Sequence, residues 1–449
     1  MSVRSTAADL PVVVIGAGPS GLAAAAHLHS RNVDVIVLES GPCAGAAVRE
    51  WGHVRLFSSW SELVDPVAAD LLQTLGWTAP NPKGYPTGAD WADAYLQPLA
   101  GALGDVVLYG HAVTAVTKQS RDRLVSSGRD EAPFTVRVQT SAGEKVIFAR
   151  GVIDATGTWG TPNPLGGDGV PAIGEIEHAN QISYRIPNFR DEDVRARYVG
   201  RHVVVAGTGA SAKGALIALT ALAQEAPGTR VSWIVRRSNV GEAFAGSGQD
   251  ELPQRGALGQ EAKAAVDAGP VATISGFRTA SVTSDANGAL DVTSFDGRSI
   301  TGVDEIIALT GFRPDLDFLS ELRLDLDPIL QAPRALAPLI DPNEHSCGTV
   351  YPHGAKELAQ PEVGFFAVGM KSYGRATSFL ALTGFEQTRS VAASLAGDHE
   401  AAARVELTLP DTGVCGGAGA FDDESAEGGA CCAPASAPEF VTLGGLTTR

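Results

Sequence analysis

A chain of 449 residues exceeds what one hydrophobic core holds and predicts two units with accessory segments. Its formal charge of -17 excludes nucleic acid or an anionic membrane as the main partner, because both would repel it. MSVRSTAADL carries no apolar leader, ALIALTALA at 215–223 is too short to span a bilayer, and five cysteines lack framework spacing, so the cytoplasm is the expected location.

The first elements are PVVVIGAGPSGLAAAAHL: an apolar strand from Val12 to Ile15, then Gly16-x-Gly18-x-x-Gly21, then an alanine-rich helix. A second apolar strand, VDVIVLE, ends in Glu39. Gly16 permits the tight turn, Gly18 lets a pyrophosphate approach the backbone, and Gly21 lets the helix pack on the strand. The helix N-terminus then faces the phosphates and Glu39 accepts from a ribose, so this stretch predicts a dinucleotide site. Downstream, AVTAV, FTVRVQT and EKVIFA alternate as strands, and the buried strand GVIDATG closes the segment at Thr156 and Gly157.

The plan then repeats. RHVVVAGTGASAKGALIAL gives a strand, Gly207-x-Gly209-x-x-Ala212 and a helix, followed by the strand VSWIVRR. Strands in VATISGF, LDVTSF and ITGVDEIIAL end on Thr310 and Gly311. Two dinucleotide units in one chain imply electron transfer between two cofactors. Where the first unit has Glu39, the second has Arg236 and Arg237, and guanidinium groups there suit the 2'-phosphate of NADPH.

These motifs, with ALTGFRPD and the late strand GFFAVGM, span residues 11 to about 395 and resemble the flavoproteins with two dinucleotide-binding domains, which include flavin-containing monooxygenases and thioredoxin reductase-like enzymes. The resemblance implies an α/β fold of two Rossmann-like domains, the second inserted in the first. FAD-binding residues 1–165 and 305–400 would form one domain, NADPH-binding residues 166–304 the other, and 401–449 a flexible tail. The reductases of that group carry a cysteine pair beside the flavin and usually end the late strand in Gly-Asp; here Cys43 and Cys347 stand alone and the strand ends in Gly369-Met370. The monooxygenase branch asks less of its side chains: NADPH reduces the flavin, oxygen reacts with it, and the protein keeps water away.

VREWGHVRLFSSW, YPTGADW and MKSYGRATSFL resemble flavin-pocket segments of that branch, and place Arg49 and Trp60 as cofactor contacts and Tyr373 and Arg375 as catalytic candidates; Cys347, in HSCGTVYPHG, is a further catalytic candidate as a buried or substrate-pocket thiol. The identifying FxGxxxH segment survives only in part: Gly174 and His178 keep the spacing but Ala172 stands at the phenylalanine position. His178 is therefore either a linker or NADPH contact, or a solvent-facing loop residue. HSCGTVYPHG, GFFAVGMKSYGRATSFLALTGFEQTRS and VELTLPDTGVCG are similar to monooxygenase-like flavoproteins of actinobacterial arsenic-resistance operons, which implies metalloid chemistry without naming a substrate.

From about residue 402 the chain is rich in glycine, alanine, serine and acids, a composition that predicts a mobile segment. It holds Cys415, Cys431 and Cys432, whose thiolates are soft donors for a thiophilic ion such as trivalent arsenic. The combined expectation is an FAD- and NADPH-dependent oxidoreductase of monooxygenase type acting with molecular oxygen on a small molecule, an arsenical among the candidates. Two alternatives stay open: a thiol or metalloid reductase using the tail cysteines, and a non-catalytic metalloid-binding or redox-sensing flavoprotein. A homodimer is left open.

Overall fold

The computed structural model describes residues 9–244, 253–269, 271–341, 352–376 and 379–407. Its first five-stranded sheet is wholly parallel and has the order β16-β7-β1-β2-β3, with β1 Val12–Ile15, β2 Val35–Leu38, β3 Val107–Leu108, β7 Gly151–Asp154 and β16 Phe365–Ala367. All four residues of β1 are buried because both faces of the sheet are covered, as parallel sheets require. Val12 and Val14 pack toward helix α1 (Pro19–Ser30), while Val13 and Ile15 pack against Val116, Phe134 and Val136 of a second layer. That layer is an antiparallel sheet of β4 (Ala112–Lys118), β5 (Phe134–Thr140) and β6 (Gly143–Ala149).

The second unit repeats the arrangement. Its parallel sheet, β11-β10-β9-β15-β8, contains β8 (Ile182–Ser183), β9 (His202–Ala206), β10 (Arg230–Ile234), β11 (Val271–Ile274) and β15 (Glu305–Ala308). Val203 and Val205 face the helix α2 (Ala210–Glu225); Val204 and Ala206 face an antiparallel sheet of β12 (Thr279–Ser284), β13 (Leu290–Ser294) and β14 (Ser299–Val303). A further helix, α3 (Pro253–Ala268), packs on α2. The two sheets differ only in the source of the fifth strand: β16 reaches the first from near the C-terminus, followed by α4 (Ala381–Leu395), whereas β8 enters the second just before β9.

The glycine-rich turns explain why the sheets sit so close to their crossovers. Gly16 adopts φ +102° and a Cβ there would lie 2.9 Å from Ala155 O; Gly207 adopts φ +118° with Leu309 O at 2.2 Å. Both positions combine a left-handed backbone with no room for a side chain. The third position differs: a Cβ at Gly21 would lie 1.9 Å from Gly16 O, whereas Ala212 fits its methyl into the buried core. The α/β class with two Rossmann-like units holds. The strand β12, in the stretch TASVTS, is an addition to the sequence reading, and ITGVDEIIAL divides into an antiparallel β14 and a parallel β15.

Candidate functional site

The two glycine-rich turns open into one cleft of about 2270 Å³, lined by Gly16, Gly18 and Glu39 at one end and by Gly207, Gly209, Arg236 and Arg237 at the other. A single small-molecule pocket rarely exceeds about 1,000 Å³, so this cleft has room for more than one ligand. Gly18 and Gly209 test the fit of a dinucleotide at each end. A Cβ at either would meet nothing within 4 Å, so neither glycine is demanded by packing; both leave bare backbone at a helix N-terminus facing the cleft. Glu39 is 8% exposed and its carboxylate is held by the Ala17 N–H at 2.8 Å and the Gly41 N–H at 2.7 Å, fixed where a ribose hydroxyl would bond it. The residues present fit a dinucleotide in both units.

At the second end the charge is positive. Burial, then the like charges of Arg237 and Arg278, push the Arg236 guanidinium below its ordinary value. An anion brought to this end relieves that repulsion, which is the physics a 2'-phosphate exploits.

Between the two ends stands a cluster drawn from both units. Trp159, in the crossover after β7, donates through Nε1 to Glu50 Oε2 at 2.7 Å and stacks on Phe312 with ring centroids 4.9 Å apart. Arg185, just after β8, lies 4.9 Å above the Trp159 ring, donates to its carbonyl at 3.1 Å and sits 3.5 Å from Glu50. His53 also lines the cleft, its Nε2 buried without a hydrogen-bond partner. Burial first, and Arg190 second, push its pKa below 6.5, so the ring is neutral at pH 7 and able to accept a hydrogen bond.

The sequence candidates fall as follows. Gly16, Gly18, Glu39, Arg49, Thr156, Gly157, Gly207, Gly209, Arg236, Arg237, Gly369, Tyr373 and Arg375 line the cleft. Gly21 and Ala212 support the helices behind the turns. Arg49 is turned to Asp93, 2.5 Å away. Tyr373 is 1% exposed and burial pushes its phenol well above 10, so it remains protonated in contact with Phe379. Trp60 does not line the cleft: it is buried in the first-unit core, where its size fits the hydrophobic layer.

His178 does not line the cleft either, because Gly174 (φ +80°) brings this segment against the β12 carbonyl of Val282. The buried Glu175 holds the loop there, accepting from the N–H groups of Leu165, Gly166 and Ala172 and from Tyr184 Oη. Cys347, Cys415, Cys431 and Cys432 lie outside the described residues, among which Cys43 is the one cysteine. Among the described residues no three metal-ligating side chains converge, and no helix is long and apolar enough to cross a membrane.

Two glycine-turn units sharing one cleft define an oxidoreductase of the two-dinucleotide class. The chain belongs to the pyridine nucleotide-disulphide oxidoreductase family, whose model matches residues 13–347. It is 28% identical over 201 residues to the indole-3-pyruvate monooxygenase YUCCA1 of Oryza sativa subsp. japonica, an alignment spanning 44% of this chain and 42% of that protein, less than half its length.

Among solved structures, the bacillithiol disulfide reductase of Bacillus cereus matches with TM-score 0.63 and 21% identity, over 86% of this chain and 99% of that one. The FAD-bound cadaverine monooxygenase of the desferrioxamine pathway of Erwinia amylovora matches with TM-score 0.59 and 14% identity, over 89% and 98%. These structural likenesses establish a fold shared by reductases and monooxygenases.

Proposed function

We propose that the chain is an FAD-containing, NADPH-dependent oxidoreductase of monooxygenase type, with FAD on the first unit and NADPH on the second, whose sheet runs on through β15 to residue 308 rather than stopping at 304. The observation that carries this reading is the shared cleft, with Glu39 at one end and the Arg236–Arg237 pair at the other. Bound FAD would supply hydride acceptance from NADPH and reaction with molecular oxygen. The protein's part is to bind, align and exclude water. Glu39 holds the flavin nucleotide's ribose, and the bare backbone at Gly18 and Gly209 admits the two pyrophosphates. Arg236 and Arg237 would hold the 2'-phosphate, while the Trp159 and Phe312 ring pair lines the same cleft.

The substrate is read as a small thiophilic molecule, an arsenical first, supported by the three cysteines after residue 402. The decisive experiment measures oxygen uptake and thiol release in parallel during NADPH oxidation by the full-length protein, with arsenite and with low-molecular-weight disulfides. Oxygen consumption coupled to arsenite supports oxygenation.

A second reading, reduction of disulfides, is favoured by the family that matches residues 13–347. It predicts thiol release without oxygen uptake and its loss in Cys431→Ser/Cys432→Ser, an outcome that overturns the first reading.

A further inference from the structure

The internal repeat isolates a residue that the fold alone does not require. β7 ends on Asp154, paired in register with Ile15 of β1; β15 ends on Ala308, paired with Ala206 of β9. The two positions are equivalent, yet one holds an alanine 1% exposed and the other a carboxylate 0% exposed. A buried carboxylate is costly unless its oxygens are partnered. Here the partners all lie at one end of the cleft. The Thr156 N–H and hydroxyl donate to Asp154 Oδ1 at 3.1 and 2.7 Å; Oδ2 makes no hydrogen bond but is compensated by the Lys371 ammonium, with Nζ 2.9 Å away. Lys371 donates also to Thr156 Oγ1 at 2.9 Å and lies 4.5 Å above the Phe318 ring.

Lys371 directly follows Gly369 and Met370, and that corner is tied down separately. Ser372 Oγ donates to Gly369 O at 2.8 Å, the Gly369 N–H donates to Gln387 Oε1 of α4 at 2.7 Å, and Gln387 Nε2 donates to Ser372 Oγ at 2.9 Å. Thr156, Gly157, Gly369 and Met370 line the cleft; Asp154 and Lys371 do not. One ammonium group therefore joins, from beneath, two cleft-lining segments that are more than 200 residues apart in sequence.

We propose that Asp154 and Lys371 are positioning residues of the FAD site, clamping the Thr156–Gly157 crossover onto the Gly369–Met370 corner so that both meet the flavin nucleotide in fixed register. The proposal rests on the reading that the first unit holds FAD. It explains why a charged pair occupies a place the second unit fills with alanine: there Thr310 Oγ1 donates to the Asn163 carbonyl at 2.9 Å, and among the described residues no ion pair stands at Ala308.

The test titrates FAD into the flavin-free full-length protein, reading affinity and the visible circular dichroism of the bound flavin, with far-ultraviolet dichroism as the check on folding. Lys371→Met is expected to weaken FAD at least tenfold and change its visible dichroism. Because that variant leaves Asp154 unpaired, the neutral pair Asp154→Asn/Lys371→Met is measured beside it; it is expected to keep the fold and to show the same weakening. Thr156→Val is expected to weaken FAD too, and to add nothing in combination with Lys371→Met, since Lys371 acts through that hydroxyl. A neutral pair that binds FAD with wild-type affinity and dichroism overturns the proposal, as does full additivity with Thr156→Val. Failure of the unsubstituted protein to take FAD overturns instead the functional reading on which the proposal stands.

Discussion

On the proposed reading, Arg236 and Arg237 would decide between the two nicotinamide cofactors, because the extra phosphate of NADPH is the one feature that guanidinium groups at a strand end can read. A hydrogen bond to a charged group is worth about 1.5–3 kcal/mol. Replacing both arginines with alanine is therefore expected to raise the KM for NADPH at least about tenfold while leaving NADH little changed; steady-state kinetics with both cofactors reads the split.

Titration at the residue scale involves His53 and His202. Burial pushes both below their ordinary pKa, His202 while bonded to Ser232 at 2.9 Å and to the Gly302 carbonyl at 3.1 Å. The folded state thus binds fewer protons than the unfolded state around and below about pH 6.5, where free histidine is half charged. Stability is unaffected above that pH and falls as the pH drops through it. Thermal melts between pH 5 and 8 should show the decline, and His202→Gln should flatten it. For Lys371→Met alone, the uncompensated Asp154 carboxylate is expected to cost about 3–5 kcal/mol on denaturant unfolding.

Among the elements, the four turn glycines separate into two kinds. Gly16 and Gly207 are required by the chain itself: a methyl at Gly207 would press on Leu309 O at 2.2 Å from a φ of +118°. Gly207→Ala should lower the melting temperature by several degrees. Gly209 has an ordinary φ of -71° and empty space beyond its Cα, so Gly209→Ala should leave the melting temperature unchanged and weaken NADPH binding at least about tenfold. That contrast is the one expected of a glycine kept for a ligand rather than for packing.

The same elements show what the sequence made legible. Continuous apolar runs such as VVVI and HVVVA, closed by glycines, marked both parallel sheets because burial on two faces removes the polar alternation. β8 is two residues long and too brief for any periodicity, and the strand TASVTS, largely polar, escaped because its partners rather than its own pattern hold it in place. Trp60 and His178 resembled pocket residues by composition. Their placement depends on the core layer that takes Trp60 and on the distant Val282 carbonyl against which Gly174 packs, neither of which local sequence encodes.

Across the whole molecule, the Glu50, Trp159 and Arg185 cluster bridges the first unit and the segment entering the second. Glu50→Gln removes a charge from a contact about half exposed, so its effect on stability is small, within about 1 kcal/mol. Its effect on the cleft is larger, since Glu50 is the shared partner of both side chains. Small-angle scattering of the variant is expected to show a broader distribution of inter-unit distances. Long-range pairs of this kind, like Arg129 with Glu362 at 2.6 Å, were illegible in a single sequence because nothing local marks residues that meet across hundreds of positions.

The differing origin of the fifth strands bears on how the chain comes off the ribosome. Every strand of the second sheet has emerged by residue 308, whereas the first sheet waits for Phe365–Ala367 with β7 as a bare edge. The later-encoded unit is thus the first able to finish, and the nascent chain carries an open apolar edge for more than 200 residues of synthesis after β7. Nascent chains arrested after residue 308 has left the ribosome but before residue 365 is added should be protected from protease across the second unit and cleaved within the first.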